Sequence, residues 1–413
     1  MADEPTDRSH GPLAGVRVLE LGQLVAGPFA GTLLAYFGAE VIKVEPPGGD
    51  PIRGWREIDD SGTSLWWYSL GRNKRCITLD LRTEEGRDLA RRLADRVDVL
   101  IENFRPGTME RWGLGPEVLR STNPGLIYSR VSGYGQDGPY AARPGYASVG
   151  EAVGGLRHVT GFPDGPPVRS NLSLGDTLAA LHATLGILLA LYHRDRRPAG
   201  ASQSANDGRG QVVDTAIYEA VFNMLEAVVP EYDRRGAVRG PSGSTISGVV
   251  PTNSYPTRDR KWVVIGANGE SVYRRLMYAA GRGDLADDPR LADNQGRVRH
   301  QEELDAAIAD WTRGLELDEV LSALDEARVP AGPIHSVADM FTDPHFQARG
   351  LFETVEAGGR DLRVGAIVPK LSDTPGATTW AGPALGADTR AVLRELLDLD
   401  GSTLDGLADR GVI

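Results

Sequence analysis

The chain has 413 residues, a formal net charge of −12 at pH 7 and 41% hydrophobic residues. Its length favours two domains over a single core, and its composition is ordinary for a globular protein. The negative charge argues against nucleic acid or an anionic membrane as the main partner. Cys76 is the single cysteine, which excludes an intramolecular disulfide and a zinc site built from cysteines.

Residues 1–10 are polar and acidic and lack the basic and apolar regions of a secretory signal. We therefore expect a disordered tail here and a cytoplasmic protein. No uninterrupted apolar run reaches about 18 residues, so the sequence predicts no membrane span.

Residues 11–231 predict a large α/β domain. Short β-branched runs predict strands near 16–21, 41–44, 76–79, 99–101 and 126–128, with helices near 28–37, 84–94 and 174–194. This alternation is typical of a Rossmann-like parallel sheet with helices on both faces. A further helical run is predicted from 212 to about 229.

The remaining sequence changes character twice. Residues 232–248 are rich in Gly, Ser and Arg and predict a linker. Residues 249–335 predict a smaller α+β domain, and 336–413 return to short strands and a helix.

Several familiar sites are missing from the sequence. Gly22, Gly27 and Gly31 follow the first predicted strand, but their spacing is not that of the dinucleotide fingerprint, and no phosphate-binding P-loop is present. The seven histidines are scattered without metal-ligand spacing. No serine-hydrolase elbow occurs. The sequence therefore predicts neither a metal nor a nucleotide redox cofactor.

Asp176 follows Gly175 at the start of the helix predicted over 174–194. The unpaired N–H groups and the dipole of a helix N-terminus favour a carboxylate there. Taken alone, Asp176 is more simply explained as an acid that stabilises the first turn of the helix.

Basic residues precede or follow two of the predicted strands: Arg72, Lys74, Arg75, Arg105 and Arg111. Ligands bind parallel sheets at strand ends, and Arg suits bidentate phosphate contacts. A solvated basic patch explains the pattern equally well.

With these residues in place, the chain resembles the class III CoA-transferases, which are related to the α-methylacyl-CoA racemases. The resemblance covers about residues 13–413 and depends on the order and spacing of several short motifs. These lie at 15–19, 25–28, 37–45, 73–75, 102–104, 132–136, 175–176, 208–211 and 330–333.

The resemblance implies a role for particular residues. Asp176 would be the nucleophile. The positions that it assigns to CoA or to the reacting acyl group are Val25, Arg72, Lys74, Arg75, Asn103, Phe104, Arg111 and Tyr146. A glycine-containing loop over the site would comprise Gly266, Asn268, Gly269 and Glu270.

The resemblance also implies a reaction and an assembly. CoA would pass from an acyl-CoA to a carboxylic acid through an aspartyl mixed anhydride and an aspartyl-CoA thioester, without a metal. Residues 148–176 are most similar to transferases that use succinyl-CoA and a C4–C5 dicarboxylate, and Arg169 is either a contact for the second carboxylate or a surface residue. Two chains would form an interlocked homodimer, with 336–413 returning to the large domain.

Two alternatives remain open. Racemases of this kind carry Gly-His-Asp where this chain has Gly145, Tyr146 and Ala147. His182 is a poor replacement for that base, because six residues along a helix correspond to about 240° from Asp176. The other alternative is a non-catalytic acyl-CoA-binding protein on the same fold.

Overall fold

The computed structural model describes residues 11–196 and 208–413, so the predicted tail at 1–10 lies outside the described residues. The chain divides into two compact units. The first combines the chain up to Leu156 with Ser170–Glu226 and Ala348–Ile413, and the second combines Arg157–Arg169 with Ala227–Gln347.

The strands form three sheets. They are β1 (Arg17–Glu20), β2 (Glu40–Glu45), β3 (Lys74–Thr78), β4 (Val99–Glu102), β5 (Ile127–Ser132), β6 (Val212–Ala216), β7 (Thr252–Pro256), β8 (Trp262–Gly266), β9 (Ala331–Pro333), β10 (Phe352–Ala357) and β11 (Arg360–Gly365). The largest is a six-stranded sheet in the order β3-β2-β1-β4-β5-β6, parallel at every pairing.

The helices are α1 (Ala26–Tyr36), α2 (Leu65–Leu70), α3 (Glu84–Ala94), α4 (Thr108–Arg111), α5 (Pro116–Thr122), α6 (Ala147–Val153), α7 (Leu156–Val159), α8 (Leu174–Asp195), α9 (Ile217–Phe222), α10 (Val228–Arg235), α11 (Glu270–Ala279), α12 (Gly283–Ala286), α13 (Asn294–Arg299), α14 (Gln301–Arg313), α15 (Leu317–Glu326), α16 (Val337–Thr342), α17 (Pro344–Ala348), α18 (Thr389–Leu397) and α19 (Gly401–Asp409).

Alternation along the central strands divides the core of the first unit into two layers. Val18 of β1 packs with Leu34 of α1 and Ala183 of α8 on one face of the sheet. Its neighbour Leu19 packs on the other face with Leu93 of α3. A strand covered on both faces reads as a continuous apolar run, which is why the sequence predicts this α/β sheet.

The prediction that a helix begins at residue 212 is wrong. Residues Val212–Ala216 are strand β6 at the edge of the sheet, paired with β5, and the helical run begins only at Ile217. The side chain of Asp214 faces the loop beyond β5, where its carboxylate accepts the N–H of Gln136 at 3.0 Å. An edge strand is half exposed, so its polar residues break the apolar run that marks the inner strands. The predicted linker at 232–248 also begins inside a helix, α10.

Helix α8 is the longest helix in the described part of the chain, with 22 residues. By length and composition alone it could cross a membrane, with a mean hydropathy of 1.6 over its best window. Core helices of soluble proteins pass the same test, and Ala179, Ala183 and Ile187 of α8 are buried against the sheet. The expected absence of a membrane partner stays a prediction.

A network of buried charges joins β1, β2 and β3. The ammonium group of Lys43 lies 3.1 Å from Glu20 and 3.0 Å from Asp50, and that of Lys74 lies 2.8 Å from Glu20. All four side chains are fully buried. Burial opposes the charge on Lys43, yet Glu20 and Asp50 raise its pKa overall, whereas burial lowers the pKa of Lys74. Two cations and two anions balance, which is the condition for tolerating buried charge.

The C-terminal part of the first unit packs against β3. The indole N–H of Trp380 donates to the Lys74 carbonyl at 3.0 Å, and the Asp388 carboxylate accepts the N–H of Cys76 at 2.8 Å. Arg72 donates to the Gly365 carbonyl at 2.7 Å. These contacts cap an edge strand that would otherwise expose its backbone polar groups.

The second unit has its own core around an antiparallel sheet in the order β7-β8-β9. Tyr255, Ile265, Met277 and Ile308 are buried within it. Arg297 is also buried and donates to the Asn268 carbonyl at 2.7 Å, which ties the turn after β8 to α13.

Gly31 provides a test of the buried charge network. A Cβ at this position of α1 would overlap the Glu20 carboxylate. We expect Gly31→Ala to displace Glu20 from its lysines and lower the free energy of unfolding by about 3–5 kcal/mol, as for a broken buried ion pair. Chemical denaturation measures this change. Gly401→Ala is the matched control, because no atom lies within 4 Å of the added Cβ; a similar loss in both variants would contradict the explanation.

Candidate active site

A pocket of about 370 Å³ lies at the carboxyl ends of β1, β4 and β5 in the first unit. Its lining comes from the ends of these strands and the loops after them, from the segment before α6 and from the start of α8. Residues that line it include Gln23, Leu24, Asn103, Phe104, Arg105, Ser132, Arg143, Tyr146 and Asp176. This is where a parallel α/β sheet is expected to bind a ligand.

Asp176 lies in the first turn of α8, where the helix dipole favours an ionised carboxylate. Gly175 allows this placement. A Cβ on Gly175 would lie 3.0 Å from the Ala147 carbonyl oxygen and 3.2 Å from Ile217 Cγ2. The start of α8 can therefore approach α6 and α9 closely, and the Gly175 N–H donates to the buried Glu151 carboxylate at 3.3 Å.

Tyr146 precedes the first residue of α6 and is 66% exposed at the pocket. Its position depends on a close backbone contact between two glycines. A Cβ on Gly133 would lie 2.9 Å from Gly145 Cα, and a Cβ on Gly145 would lie 3.0 Å from Gly133 Cα. The segment before α6 can therefore lie directly against the end of β5.

Asn103 fixes the loop after β1. Its side-chain oxygen accepts the Gln23 N–H at 2.8 Å, and its side-chain amide donates to the Gln23 carbonyl at 2.7 Å. From the other side Lys43 donates to the Gly22 carbonyl at 2.7 Å, and Asp50 accepts the Leu24 N–H at 3.1 Å. Leu24 adopts a φ of 64°, a left-handed conformation that costs energy without such support.

Phe104 is oriented by a second charged cluster. Its N–H donates to the Glu102 carboxylate at 2.8 Å, and Arg130 donates to the same carboxylate at 2.8 Å. Arg130 also contacts Glu110 at 2.7 Å. Burial raises the pKa of Glu102 to about 7, against the opposing effect of Arg130.

The structure brings four of the predicted site residues together in the pocket: Asp176, Asn103, Phe104 and Tyr146. It does not bring Lys74 or Arg72 there, because Lys74 is held by Glu20 and Arg72 by the Gly365 carbonyl.

The other predicted CoA residues also lie outside the pocket lining. Arg75 is buried, at 2.7 Å from Glu40 and 2.8 Å from Glu395. Val25 is buried in the core, and Arg111 donates to Thr108 at 2.9 Å on the surface. A contact of these residues with CoA stays a prediction, and in the structure the buried ones have structural partners instead.

The predicted loop at 266–270 belongs to the second unit, so its position over Asp176 also stays a prediction. Gly269 precedes α11 with φ −74° and ψ 141°, and a Cβ there would lie 3.8 Å from Val272 Cγ2. Any residue can adopt this conformation. Gly269 is therefore not required for the conformation seen here.

Sequence reasoning missed Arg143, Gln23 and Ser132 in the pocket lining. Gln23 and Ser132 lie at strand ends, a position that could have marked them. Arg143 lies in a loop, and only its distance of three residues from Tyr146 connects it with the site.

Comparison with known proteins shows the family to which the chain belongs. Residues 13–389 match the family model described as CoA-transferase family III. The succinyl-CoA–D-citramalate CoA-transferase of Chloroflexus aurantiacus is 49% identical over 99% of this chain and 100% of its own. The succinate–glutarate CoA-transferase of Agrobacterium fabrum is 36% identical over 96% of this chain and 98% of its own.

Solved structures show the same fold. A CAIB/BAIF family protein from Brucella suis is 34% identical, with a TM-score of 0.82 over 94% of this chain and 100% of that protein. The chain belongs to CoA-transferase family III, and the predictions of the family, the α/β fold and a CoA-transferase activity are confirmed.

The raised pKa of Glu102 predicts a pH dependence of stability. An unfolded Glu titrates near 4.5 and the folded one near 7, so the folded protein binds more protons between these values. Its free energy of unfolding must then fall as pH rises through this range. We expect Glu102→Gln to remove this fall, so that the variant gains stability relative to the wild type from about pH 5 to 7.

The measurement is urea denaturation of both proteins at several pH values. Glu110→Gln is the control, because it removes the other carboxylate on Arg130 and the pKa of Glu110 is lowered by Arg130 despite its partial burial. The difference in the free energy of unfolding between Glu110→Gln and the wild type should not change with pH above pH 5. If the difference between Glu102→Gln and the wild type is also independent of pH, the raised pKa of Glu102 is refuted.

Proposed function

We propose that this enzyme transfers CoA between succinyl-CoA and a C4–C5 dicarboxylate, with Asp176 as the nucleophile. The observation that carries the proposal is the position of Asp176 in a helix first turn inside a pocket shared with Asn103, Phe104 and Tyr146. The acceptor class is supported by relatives named for D-citramalate, L-malate, glutarate and mesaconate.

The proposed chemistry begins when the Asp176 carboxylate attacks the thioester carbonyl carbon of succinyl-CoA. The carbon–sulfur bond breaks, which gives a mixed anhydride and CoA thiolate. The thiolate attacks the carbonyl carbon that Asp176 contributes to the anhydride, so succinate leaves and an aspartyl-CoA thioester forms. The acceptor carboxylate and the thiolate then repeat these steps in reverse order. Asp176 is restored, and no net proton is consumed.

Each step passes through a tetrahedral oxyanion, which needs hydrogen-bond donors aimed at the developing charge. Asp176 lies in the first turn of α8, where the positive end of the helix dipole favours developing negative charge. The anhydride must also be protected from water. We propose that the loop with Gly266, Asn268, Gly269 and Glu270 provides this cover.

A racemase would need a second base facing the substrate. Tyr146 occupies the pocket position that carries histidine in the racemases. His182 does not line the pocket: its Nδ1 lies 2.8 Å from the Leu178 carbonyl oxygen, and its Nε2 lies 3.0 Å from the Asn223 side-chain amide. This arrangement favours the transferase over the racemase.

We also propose a homodimer, and the outer face of α8 supports it. Leu181, Leu185, Leu189 and Tyr192 are each between 46% and 61% exposed in the single chain. Apolar side chains repeated along one helix face are normally covered in the working protein. A cytoplasmic location stays a prediction.

The dimer is tested by light scattering coupled to size-exclusion chromatography. We expect a mass of two chains at micromolar concentration in detergent-free buffer. A monodisperse monomer would reject the homodimer. A protein that stays in the membrane fraction on expression would instead assign the exposed face of α8 to lipid.

Asp176→Asn tests the nucleophile. An amide cannot form the anhydride, so turnover should fall by several orders of magnitude, whereas a first-turn acid would cost only about 0.3–1 kcal/mol of stability. Wild-type enzyme incubated with succinyl-CoA and then hydroxylamine should carry a hydroxamate on the peptide that contains Asp176, as detected by mass spectrometry.

The variant should carry no hydroxamate while keeping the thermal unfolding midpoint of the wild type within a few degrees. Asp195→Asn, at the other end of the same helix, is the control and should keep full transfer. A folded Asp176→Asn protein with near-normal transfer would overturn the mechanism.

A further inference from the structure

The pocket around Asp176 contains two cationic side chains whose charges are not matched by the protein. Arg105 and Arg143 both line it. Neither guanidinium forms a hydrogen bond or an ion pair within the described ranges 11–196 and 208–413. Other arginines of this unit, such as Arg53 and Arg130, lie 2.7–2.8 Å from carboxylates. Two unmatched cations in a pocket indicate anionic ligand groups.

Arg143 is held in position by aromatic rings. Its guanidinium carbon lies 3.7 Å from the centroid of the Tyr140 ring, and its backbone N–H donates to the Tyr140 carbonyl at 2.8 Å. The ring of Tyr140 packs edge to face on that of Tyr134, with 5.8 Å between the ring centroids. The ring centroids of Tyr134 and Tyr218 are 5.9 Å apart. A guanidinium stacked on a ring keeps the N–H donors at its edge available for a carboxylate.

The two arginines come from different segments of the pocket lining. Arg105 directly follows Asn103 and Phe104 at the end of β4, whereas Arg143 belongs to the segment that leads to Tyr146 and α6. The resemblance places Tyr146, three residues after Arg143, next to the reacting acyl group. Arg143 is therefore the better placed of the two for an anionic group on the acid itself.

We propose that Arg143 binds the distal carboxylate of the dicarboxylate substrate and so sets the preference for dicarboxylates over monocarboxylates. The inference deepens the proposed function and rests on it. The planar fork of arginine matches a carboxylate in a bidentate manner. The sequence analysis offered Arg169 for this contact, which stays a prediction, whereas Arg143 lines the pocket of Asp176.

The test compares two acceptors that differ only in the distal group, succinate and butyrate, with the same acyl-CoA donor. In a two-step exchange, kcat/KM for the acceptor reports only the steps after the aspartyl-CoA thioester has formed. For Arg143→Met we expect kcat/KM for succinate to fall about 10- to 100-fold, the range of a charge-assisted pair. The value for butyrate should change little, and hydroxamate formation at Asp176 from butyryl-CoA should persist.

Matched variants separate the alternatives. Arg105→Met removes a cation from the same pocket and should lower kcat/KM for succinate and for butyrate by the same factor. Arg169→Met should leave the ratio of the two acceptors unchanged. Arg143→Lys should reduce the preference for succinate by a smaller factor, because lysine keeps the charge and loses the fork. If Arg143→Met does not fold, the ratio of kcat/KM for succinate to that for butyrate is measured in Arg143→Lys instead.

The inference is overturned if the Arg143 variants lower kcat/KM for succinate and for butyrate equally, since Arg143 would then bind CoA and not the distal carboxylate. It is also overturned if Arg169→Met alone produces the selective loss. A wild-type enzyme that uses butyrate as well as succinate would refute the proposed acceptor class instead, whatever the variants do. The two failures are therefore distinguishable.

Discussion

The buried charge network of Glu20, Lys43, Asp50 and Lys74 is the constraint on which the site depends. Its members come from three neighbouring strands and the loop after β2, and they act on the backbone that begins the pocket. Lys43 donates to the Gly22 carbonyl, and Lys74 donates to the Pro28 carbonyl in α1 at 2.6 Å. Because each buried charge is matched, removal of one member would leave another uncompensated. The network therefore favours a single arrangement of the loop that Asn103 meets from the opposite side.

Glycines position the segment before α6 and the start of α8 in a corresponding way. The contact between Gly133 and Gly145 and the absence of a side chain at Gly175 let backbone segments approach more closely than any larger residue allows. Tyr146 and Asp176 directly follow two of these glycines in the chain. Both side chains are consequently positioned by rigid secondary structure, which an enzyme requires when its nucleophile must meet a thioester in one geometry.

The same physics explains how far the sequence could predict the structure. Buried parallel strands and the long α8 leave strong periodic patterns, and Asp176 stands at a recognisable helix start. The burial of Lys74 beside Glu20 could not be predicted, because a lysine in a short motif gives no sign of its partner. Strand β6 was missed because Asp214 and Thr215 interrupt the continuous apolar run that marks the buried strands. Arg143 could not be found, since its stacking on Tyr140 depends on a loop conformation that no pattern records.

The net charge of −12 would repel an anionic ester and an anionic acid if it were spread evenly over the molecule. Coulomb interactions in the pocket, however, depend on the nearest groups and on the local dielectric, because charges beyond about one Debye length in solvent are screened. Arg105 and Arg143 line the pocket together with Asp176, and neither guanidinium forms an ion pair with a carboxylate of the described residues. An acidic surface can then keep the protein soluble while the pocket stays locally cationic. Arg105 and Arg143 are therefore the cations that the pocket lining offers to an anionic substrate.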